Sequence, residues 1–179
     1  GEFRLLEQFL VNAGVRYDHY NTFGGTTNPR IALIYHPAEK TSLKLLYGTG
    51  FRAPNVLELY YQSTTNLSNP GLKPEKIHTG TLIWEQSIGS HLRGHASLFY
   101  YRIHDLISQQ TDPGGDLMIY RNAGKVEGKG FELEMEGFWK GGWEGRFSYT
   151  YQDVKDKETE EGLSNSPRHL VKFNLIVPI

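Results

Sequence analysis

The sequence predicts an all-β fold, an antiparallel up-and-down transmembrane β-barrel of about eight strands. Apolar and polar side chains alternate with period two in segment after segment, which is the pattern of strands with one buried and one hydrated face. The connections between these segments alternate between short and long, as they do in outer-membrane barrels. Aromatic residues make up 13% of the chain and there are 20 glycines, a composition that favours strands, interface aromatics and turns.

The bulk composition excludes several other classes of protein. A net charge of -1 gives no basic field for nucleic acid, so no nucleic-acid partner is expected. There is no cysteine, which excludes disulfides and thiolate metal sites. No apolar run approaches the roughly 18 residues of a transmembrane helix, and Gly1–Arg4 does not begin a signal peptide.

Three strands are predicted in the first part of the chain. Alternating residues predict strands over 8–18, 29–36 and 42–49. The polar, glycine-rich residues 19–28 predict a long loop, and 37–40 predict a short turn.

The stretch from Gly48 to Glu75 organises the whole prediction. A strand enters it and another leaves it, while Pro54, Asn55 and Pro70 prevent a continuous ladder between them. We therefore predict that this stretch is the rim of the barrel, where a strand ends and a surface loop begins.

Five further strands are predicted after this loop, and no helix is predicted anywhere. They cover 76–88, 91–107, 117–139, the alternating residues around 147–151, and 171–177. Gly89-Ser90 and Lys140–Gly142 predict short turns, whereas 109–116 and 153–166 predict loops. The second, fourth and sixth connections are thus short and assigned to the periplasm, and the other four are long and assigned to the extracellular side.

Alternation also assigns each strand residue to one face of the wall. The following residues are predicted to face lipid: Val11, Val15, Leu82, Leu98, Tyr149 and Phe173. The following are predicted to face the hydrated lumen: Arg16, Arg93, Glu134, Arg146 and Lys172.

No catalytic or metal site is predicted. Glu132, Glu134 and Glu136 are spaced by two, which places them on one hydrated face rather than around a substrate. His91 and His95 lack the intervening glutamate and the helix of a zinc motif. We expect a protein that is not an enzyme and that carries no cofactor and no metal.

Several motifs resemble those of TonB-dependent outer-membrane receptors. The specific pair is Phe51-Arg52-Ala53-Pro54 and Leu72-Lys73-Pro74-Glu75. The other matching segments are Ala13–Asp18, Asn28–Arg30, Glu58–Tyr60, Asn69–Gly71, Tyr120–Gly124, Gly130–Glu132, Tyr149–Asp153 and Ser166–His169. They follow the order of the family's barrel almost from end to end.

The resemblance implies uptake of a scarce nutrient across the outer membrane of a Gram-negative bacterium. Such receptors bind a ferric siderophore, haem or cobalamin outside, and TonB then pulls on a plug inside the barrel. The family's plug, TonB box and final aromatic strand have no match in this sequence, and such barrels have about 22 strands. We therefore expect 1–179 to be a single partial barrel domain, with outer-membrane lipid, a metal chelate or similar nutrient, and TonB as partners of the whole protein.

Candidate ligand-binding residues lie at the predicted extracellular rim. They are Arg52, Tyr60, Tyr61, Tyr20 and Phe23. Aromatic and arginine side chains suit a flat or anionic chelate through stacking and charge. Two alternatives remain open: one has the tyrosines serving only as membrane-interface residues, and the other gives Arg52 a structural role within its motif.

A second fold remains as an alternative. A soluble β-sandwich or small barrel that binds carbohydrate or peptide through its loops has similar alternating strands. It would need an inward apolar face, so the direction of that face distinguishes the two folds.

Overall fold

The computed structural model describes residues 1–178 as one antiparallel meander. Nine strands follow one another in the sheet in chain order, and a short strand, β5, adds to the far part of β8 in parallel. The elements are β1 (Glu2–Leu6), β2 (Phe9–Tyr20), β3 (Gly24–Ala38), β4 (Thr41–Arg52), α1 (Val56–Tyr60), β5 (Asn66–Leu67), β6 (Glu75–Ile88), β7 (Leu92–Thr111), β8 (Met118–Trp139), β9 (Trp143–Asp156) and β10 (His169–Ile176).

The eight predicted strands are confirmed as β2–β4 and β6–β10. Two short strands, β1 and β5, and the helix α1 are additions that the alternation did not predict. The helix therefore corrects the expectation of no helical segment. The part of the chain that the structure describes contains no helix long and apolar enough to cross a membrane.

The predicted first loop, residues 19–28, is wrong. β2 continues to Tyr20 and β3 begins at Gly24, so only Asn21, Thr22 and Phe23 connect them. Pro29 is tolerated inside β3 because β3 pairs there with β2 alone, and its pairing with β4 begins at Arg30. Similarly, β7 runs to Thr111, three residues into the predicted 109–116 loop.

The connections lie at two ends of the sheet. The turn end holds the tight connections 39–40, 89–91 and 140–142, in which Gly89, Gly141 and Gly142 have positive φ. The loop end holds the connections 21–23, 53–74, 112–117 and 157–168. Three of the four predicted long loops are therefore found at this end. The remaining one, predicted at 19–28, is the short connection 21–23.

The ladder register gives the sheet one apolar and one polar face. One row of directly opposed residues on the apolar face is Val11, Leu33, Leu45, Leu82, Leu98, Phe131 and Tyr151. A row on the polar face is Ser42, Glu85, His95, Glu134, Ser148 and Lys172. The predicted lipid-facing residues share the first face and the predicted lumen residues share the second, as period two requires.

The apolar face is uncovered. Leu98 is 58% exposed and Phe173 is 68% exposed, whereas a sandwich would bury such side chains against a second sheet. The described residues form a single sheet, so the sandwich alternative is wrong. Buried apolar side chains are confined to the loop end and its polar side: Leu59, Leu72, Ile107, Val126 and Val154.

Glycines on the polar face make room for aromatic rings of the neighbouring strand. Gly128 lies opposite Tyr101 and Gly130 opposite Phe99, and these two rings stack with centroids 6.5 Å apart. A Cβ at Gly130 would collide with the carbonyl oxygen of Tyr151 and lie 2.6 Å from Phe99 Cζ. Glycine is therefore required there for close packing.

Candidate functional site

Arg52 ends β4 and joins two carboxylates. Its Nε and Nη2 donate to the two oxygens of Glu75 at 2.7 and 2.6 Å, a bidentate pair across the β4–β6 ladder. Its Nη1 donates to both oxygens of Glu58 at 3.0 Å. Each guanidinium nitrogen of Arg52 is thus engaged, and both glutamates are buried.

A capping box positions Glu58. Asn55 is the N-cap of α1, and its side chain accepts the Glu58 backbone N–H at 2.8 Å. The Glu58 carboxylate in turn accepts the Asn55 backbone N–H at 2.8 Å. This short helix therefore aims its acidic residue inward at Arg52.

A bulge positions the other partner of Glu75. The β7–β8 register shifts between Ile103 and Leu106, and Asp105 has a φ of 57°. The Ile107 backbone N–H next to this shift donates to Glu75 Oε1 at 2.8 Å. We call Arg52, Glu58, Glu75 and this amide the Arg52 cluster.

The cluster lies at the loop end, beyond the apolar band, and it favours the charged forms of its members. The hydrogen bonds that Arg52 donates to Glu75 and then to Glu58 raise the pKa of Arg52 above its usual value. Burial alone would raise the pKa of Glu75. The hydrogen bonds from Arg52 and from the Ile107 amide outweigh burial, so the pKa of Glu75 is lowered.

Two asparagines fasten the 53–74 connection to β8. Asn122 accepts the Lys73 backbone N–H and donates to the Lys73 carbonyl, both at 2.8 Å. Asn69 donates to the Tyr120 carbonyl at 2.8 Å. Both contacts join residues about fifty positions apart, so the connection crosses the sheet rather than projecting from it.

Apolar packing completes this attachment. Leu59 from α1, Leu72 from the 53–74 connection and Ile107 from β7 form one buried cluster, against which Tyr120 packs. Leu72 and Leu59 are only 3% and 5% exposed. The 53–74 connection is therefore a folded platform with its own small core.

The structure places the predicted motif residues in this platform and at the adjoining ends of β4 and β6. Pro54, Leu72, Pro74 and Glu75 are buried, Phe51 and Ala53 are half-buried, and Lys73 is exposed with its backbone bound to Asn122. The two motifs thus meet through one ion pair between Arg52 and Glu75.

The predicted ligand-binding residues form two separate groups. Tyr20 stacks on Phe23 with centroids 4.5 Å apart and meets Phe51 edge-on at 5.9 Å. Tyr20, Phe51 and Arg52 line one open cavity of about 660 Å³, which also touches Arg16 and Arg30.

Tyr60 and Tyr61 form the second group. They are 52% and 47% exposed at the C-terminal end of α1 and are not among the residues that line that cavity. Whether any of these five residues contacts a ligand stays a prediction.

The predicted site omitted Asn55, Asn69, Ile107 and Asn122, and it included Glu58 only as part of a family segment. The spacing Asn55-x-x-Glu58 is a capping-box signal that was readable in the sequence. The contacts of Asn69, Ile107 and Asn122 depend on tertiary packing, and no local sequence pattern predicts them.

The comparisons with known proteins agree with this architecture. The family model "TonB dependent receptor-like, beta-barrel" matches residues 1–176. The chain belongs to this family. It is 29% identical over 174 residues to the vitamin B12 transporter BtuB of Vibrio cholerae, covering 96% of this chain and 26% of the relative. It is 28% identical over 194 residues to the iron-regulated outer membrane virulence protein of the same species, covering 97% and 30%.

Solved structures share the fold. The ferric enterobactin receptor PfeA of Pseudomonas aeruginosa superposes with a TM-score of 0.82 at 23% identity, covering 97% of this chain and 29% of that one. The siderophore receptor PirA of Acinetobacter baumannii gives a TM-score of 0.79 at 17% identity, covering 95% and 29%. The chain thus spans between a quarter and a third of the length of these relatives.

Proposed function

We propose that this chain forms part of the barrel wall of an outer-membrane receptor that takes up a scarce nutrient in a TonB-dependent manner. The observation that carries the proposal is the single meander with a continuous exposed apolar face and a charged opposite face. Such a wall is stable where lipid covers one side and water the other. The Gram-negative outer membrane is the corresponding location.

The names of the relatives support a proposal for the nutrient class. Their names include transport of vitamin B12 and binding of ferric enterobactin. We propose a ferric siderophore, haem or cobalamin for this protein, with TonB as the partner that couples uptake to energy. The family is one of receptors and transporters rather than enzymes.

The contacts of the platform support different roles for the different rim residues. Arg52 holds the platform, because its nitrogens already bind Glu58 and Glu75. Tyr60 and Tyr61 are presented outward by α1, and Tyr20 and Phe23 by the β2–β3 hairpin. We assign ligand contact to these aromatic residues.

Uptake by the intact protein in outer-membrane-bearing cells tests this function. Cells that depend on the protein are given radiolabelled cyanocobalamin, haem or a ferric catecholate, with and without an active TonB. TonB-dependent accumulation of one of them is expected. Accumulation of none, or accumulation that ignores TonB, would refute the proposal.

Substitution of the outward tyrosines tests the assigned contacts. Tyr60→Ala with Tyr61→Ala is expected to weaken binding of the accumulated nutrient by about tenfold, the loss of one or two stacking contacts. Tyr35→Ala removes a tyrosine of similar exposure from the apolar face nearer the turn end and is the matched control. Equal affinities for the two variants would remove Tyr60 and Tyr61 from the site.

A further inference from the structure

Four basic side chains meet on the apolar face at the loop end of β6 and β7. Lys76 lies directly opposite His104, and His78 lies directly opposite Arg102. We call these four residues the basic square. It stands just beyond the row in which Tyr47 and Tyr100 flank Gly80, where the apolar wall gives way to polar residues.

The charges of the basic square depart from the rest of the ladder. In the remainder of the described sheet, directly opposed charged residues have opposite signs, as in Arg93 and Glu136 or Lys129 and Asp153. Each pair of the square instead sets a permanent cation, Lys76 or Arg102, directly opposite an imidazole and opposite no carboxylate of β6 or β7. Lysine, arginine and histidine side chains all carry N–H donors, so this arrangement favours a bound anion.

Little of this charge is neutralised internally. Within residues 1–178, Glu127 is the carboxylate that binds the square, and it accepts from Arg102 Nε at 3.1 Å. Lys76 is exposed and makes no ion pair among these residues. The terminal guanidinium nitrogens of Arg102 and the Lys76 ammonium therefore remain for an external acceptor.

A groove runs from the basic square toward the apolar wall. Its floor is Gly80, where an added Cβ would meet nothing within 4 Å, and its sides are Tyr47 and Tyr100. The groove has a volume of about 370 Å³ and is headed by the square's His78, Arg102 and His104. Tyr47 fixes the His78 ring through a 3.0 Å hydrogen bond to Nδ1.

We propose that this groove binds a phosphorylated lipid of the outer leaflet. The phosphate lies on the basic square, where charge-assisted hydrogen bonds hold it. An acyl chain lies over Gly80 between the two tyrosines. The inference rests on the proposed orientation, in which the loop end faces outward and the apolar face contacts lipid.

The test is native mass spectrometry of the intact protein in a neutral detergent, with bisphosphorylated lipid A as the probe. A one-to-one complex is expected with lipid A and not with phosphatidylcholine, and millimolar inorganic phosphate is expected not to displace the lipid. The double variant Lys76→Gln with His104→Gln, which leaves the Arg102–Glu127 pair intact, is expected to bind about tenfold more weakly.

A second variant separates the groove from the charge. Gly80→Leu fills the floor and leaves all four basic residues in place, and it is also expected to weaken binding about tenfold. Ala96→Leu adds bulk to the same face nearer the turn end, and Arg93→Gln removes a charge from the polar face. Both controls are expected to retain lipid A as the unmodified protein does.

Three results would overturn the proposal. Equal retention by the variants and the controls would remove the site altogether. Sensitivity to Lys76→Gln with His104→Gln but not to Gly80→Leu, with displacement by inorganic phosphate, would make it a free-phosphate site. Nutrient uptake by a protein that retains no lipid A would refute this inference alone, whereas folding without detergent would refute the proposed function itself.

Discussion

The wall of the sheet and the 53–74 platform use the same kinds of side chain in opposite ways. In the wall, Leu98 and Phe173 lie on a surface with no protein above them, and each is more than half exposed. In the platform, Leu59 and Leu72 are almost completely buried, and Leu59 is next in the chain to Glu58, a buried carboxylate of the Arg52 cluster. The platform therefore folds as a water-soluble domain folds, by burying apolar surface, whereas the wall depends on lipid for that coverage.

The difference shows that the platform is stabilised by its own packing and the wall by contact with lipid. Changes in the platform are expected to alter the loop locally while the wall persists. Changes on the apolar face are expected to alter insertion into the membrane while the platform contacts persist. The following variants separate the two regions, from the largest expected effect to the smallest.

Arg52→Ala is expected to destabilise the platform most. It leaves Glu58 and Glu75 buried without their cation, and each buried carboxylate that loses its hydrogen-bond partner costs about 1–3 kcal/mol. Hydrogen exchange of residues 53–74 measures this loss against unchanged exchange in β7–β9. Arg16→Ala is the matched control, because the Arg16–Asp18 pair is exposed on the arginine side and such pairs contribute about 0–1 kcal/mol. Similar effects of the two variants would show that burial of the carboxylates is unimportant.

Leu98→Arg tests the wall. A charge on the lipid-facing side at mid-membrane costs about 2–4 kcal/mol, so the fraction folded into lipid vesicles is expected to fall. Thr150→Arg places the same side chain on the polar face opposite Glu132 and is expected to cost much less. Equal losses for the two variants would contradict the assignment of the faces.

Gly130→Ala tests the close packing of the polar face. The added methyl group collides with the Tyr151 carbonyl and the Phe99 ring, and such overpacking costs about 1–3 kcal/mol. Gly80→Ala is the control, because a Cβ there meets nothing within 4 Å. Urea unfolding in vesicles compares them, and a Gly130→Ala protein as stable as Gly80→Ala would contradict the described packing.

Acidification is expected to release the platform and spare the wall. The pKa of Glu75 is lowered below its usual 4.5 in the folded protein. Its contribution is therefore present above the unfolded pKa and is lost as the pH falls through the lower, folded value. Hydrogen exchange of residues 53–74, corrected for the intrinsic pH dependence, is expected to show constant protection down to about pH 5 and loss in more acidic buffer. Loss that begins near pH 7 would point to a different titrating group.

The period-two alternation predicted the wall because each strand residue faces either lipid or water. Val11 and Leu82 on one face and Arg93 and Glu134 on the other were assigned from sequence alone, and the register agrees. The prediction of the first loop is wrong because glycine and asparagine disfavour strands locally, whereas Gly24, Gly25 and Asn28 pair with β2 and strand pairing overrides such local preferences.

The platform was only partly predictable. Its start and end follow from Arg52 and Glu75 at the ends of two strands, and the spacing Asn55-x-x-Glu58 is the local signal of the capping box that begins α1. The contacts of Asn122 with Lys73 and of Ile107 with Glu75 join distant segments across the sheet. Such contacts depend on three-dimensional packing, so the residue spacing within one segment does not predict them.

Single-cysteine scanning tests the central claim most directly, because the native chain has no cysteine to remove. Cysteines are placed in the membrane-inserted protein at Leu98, Leu133 and Tyr149 on the apolar face, and at His95, Glu134 and Ser148 on the polar face. The first set is expected to resist an aqueous thiol reagent and to be quenched by lipid-borne quenchers once labelled, and the second set to behave in the opposite way. Uniform labelling of both sets, or the reverse pattern, would contradict a wall with lipid on one side and water on the other.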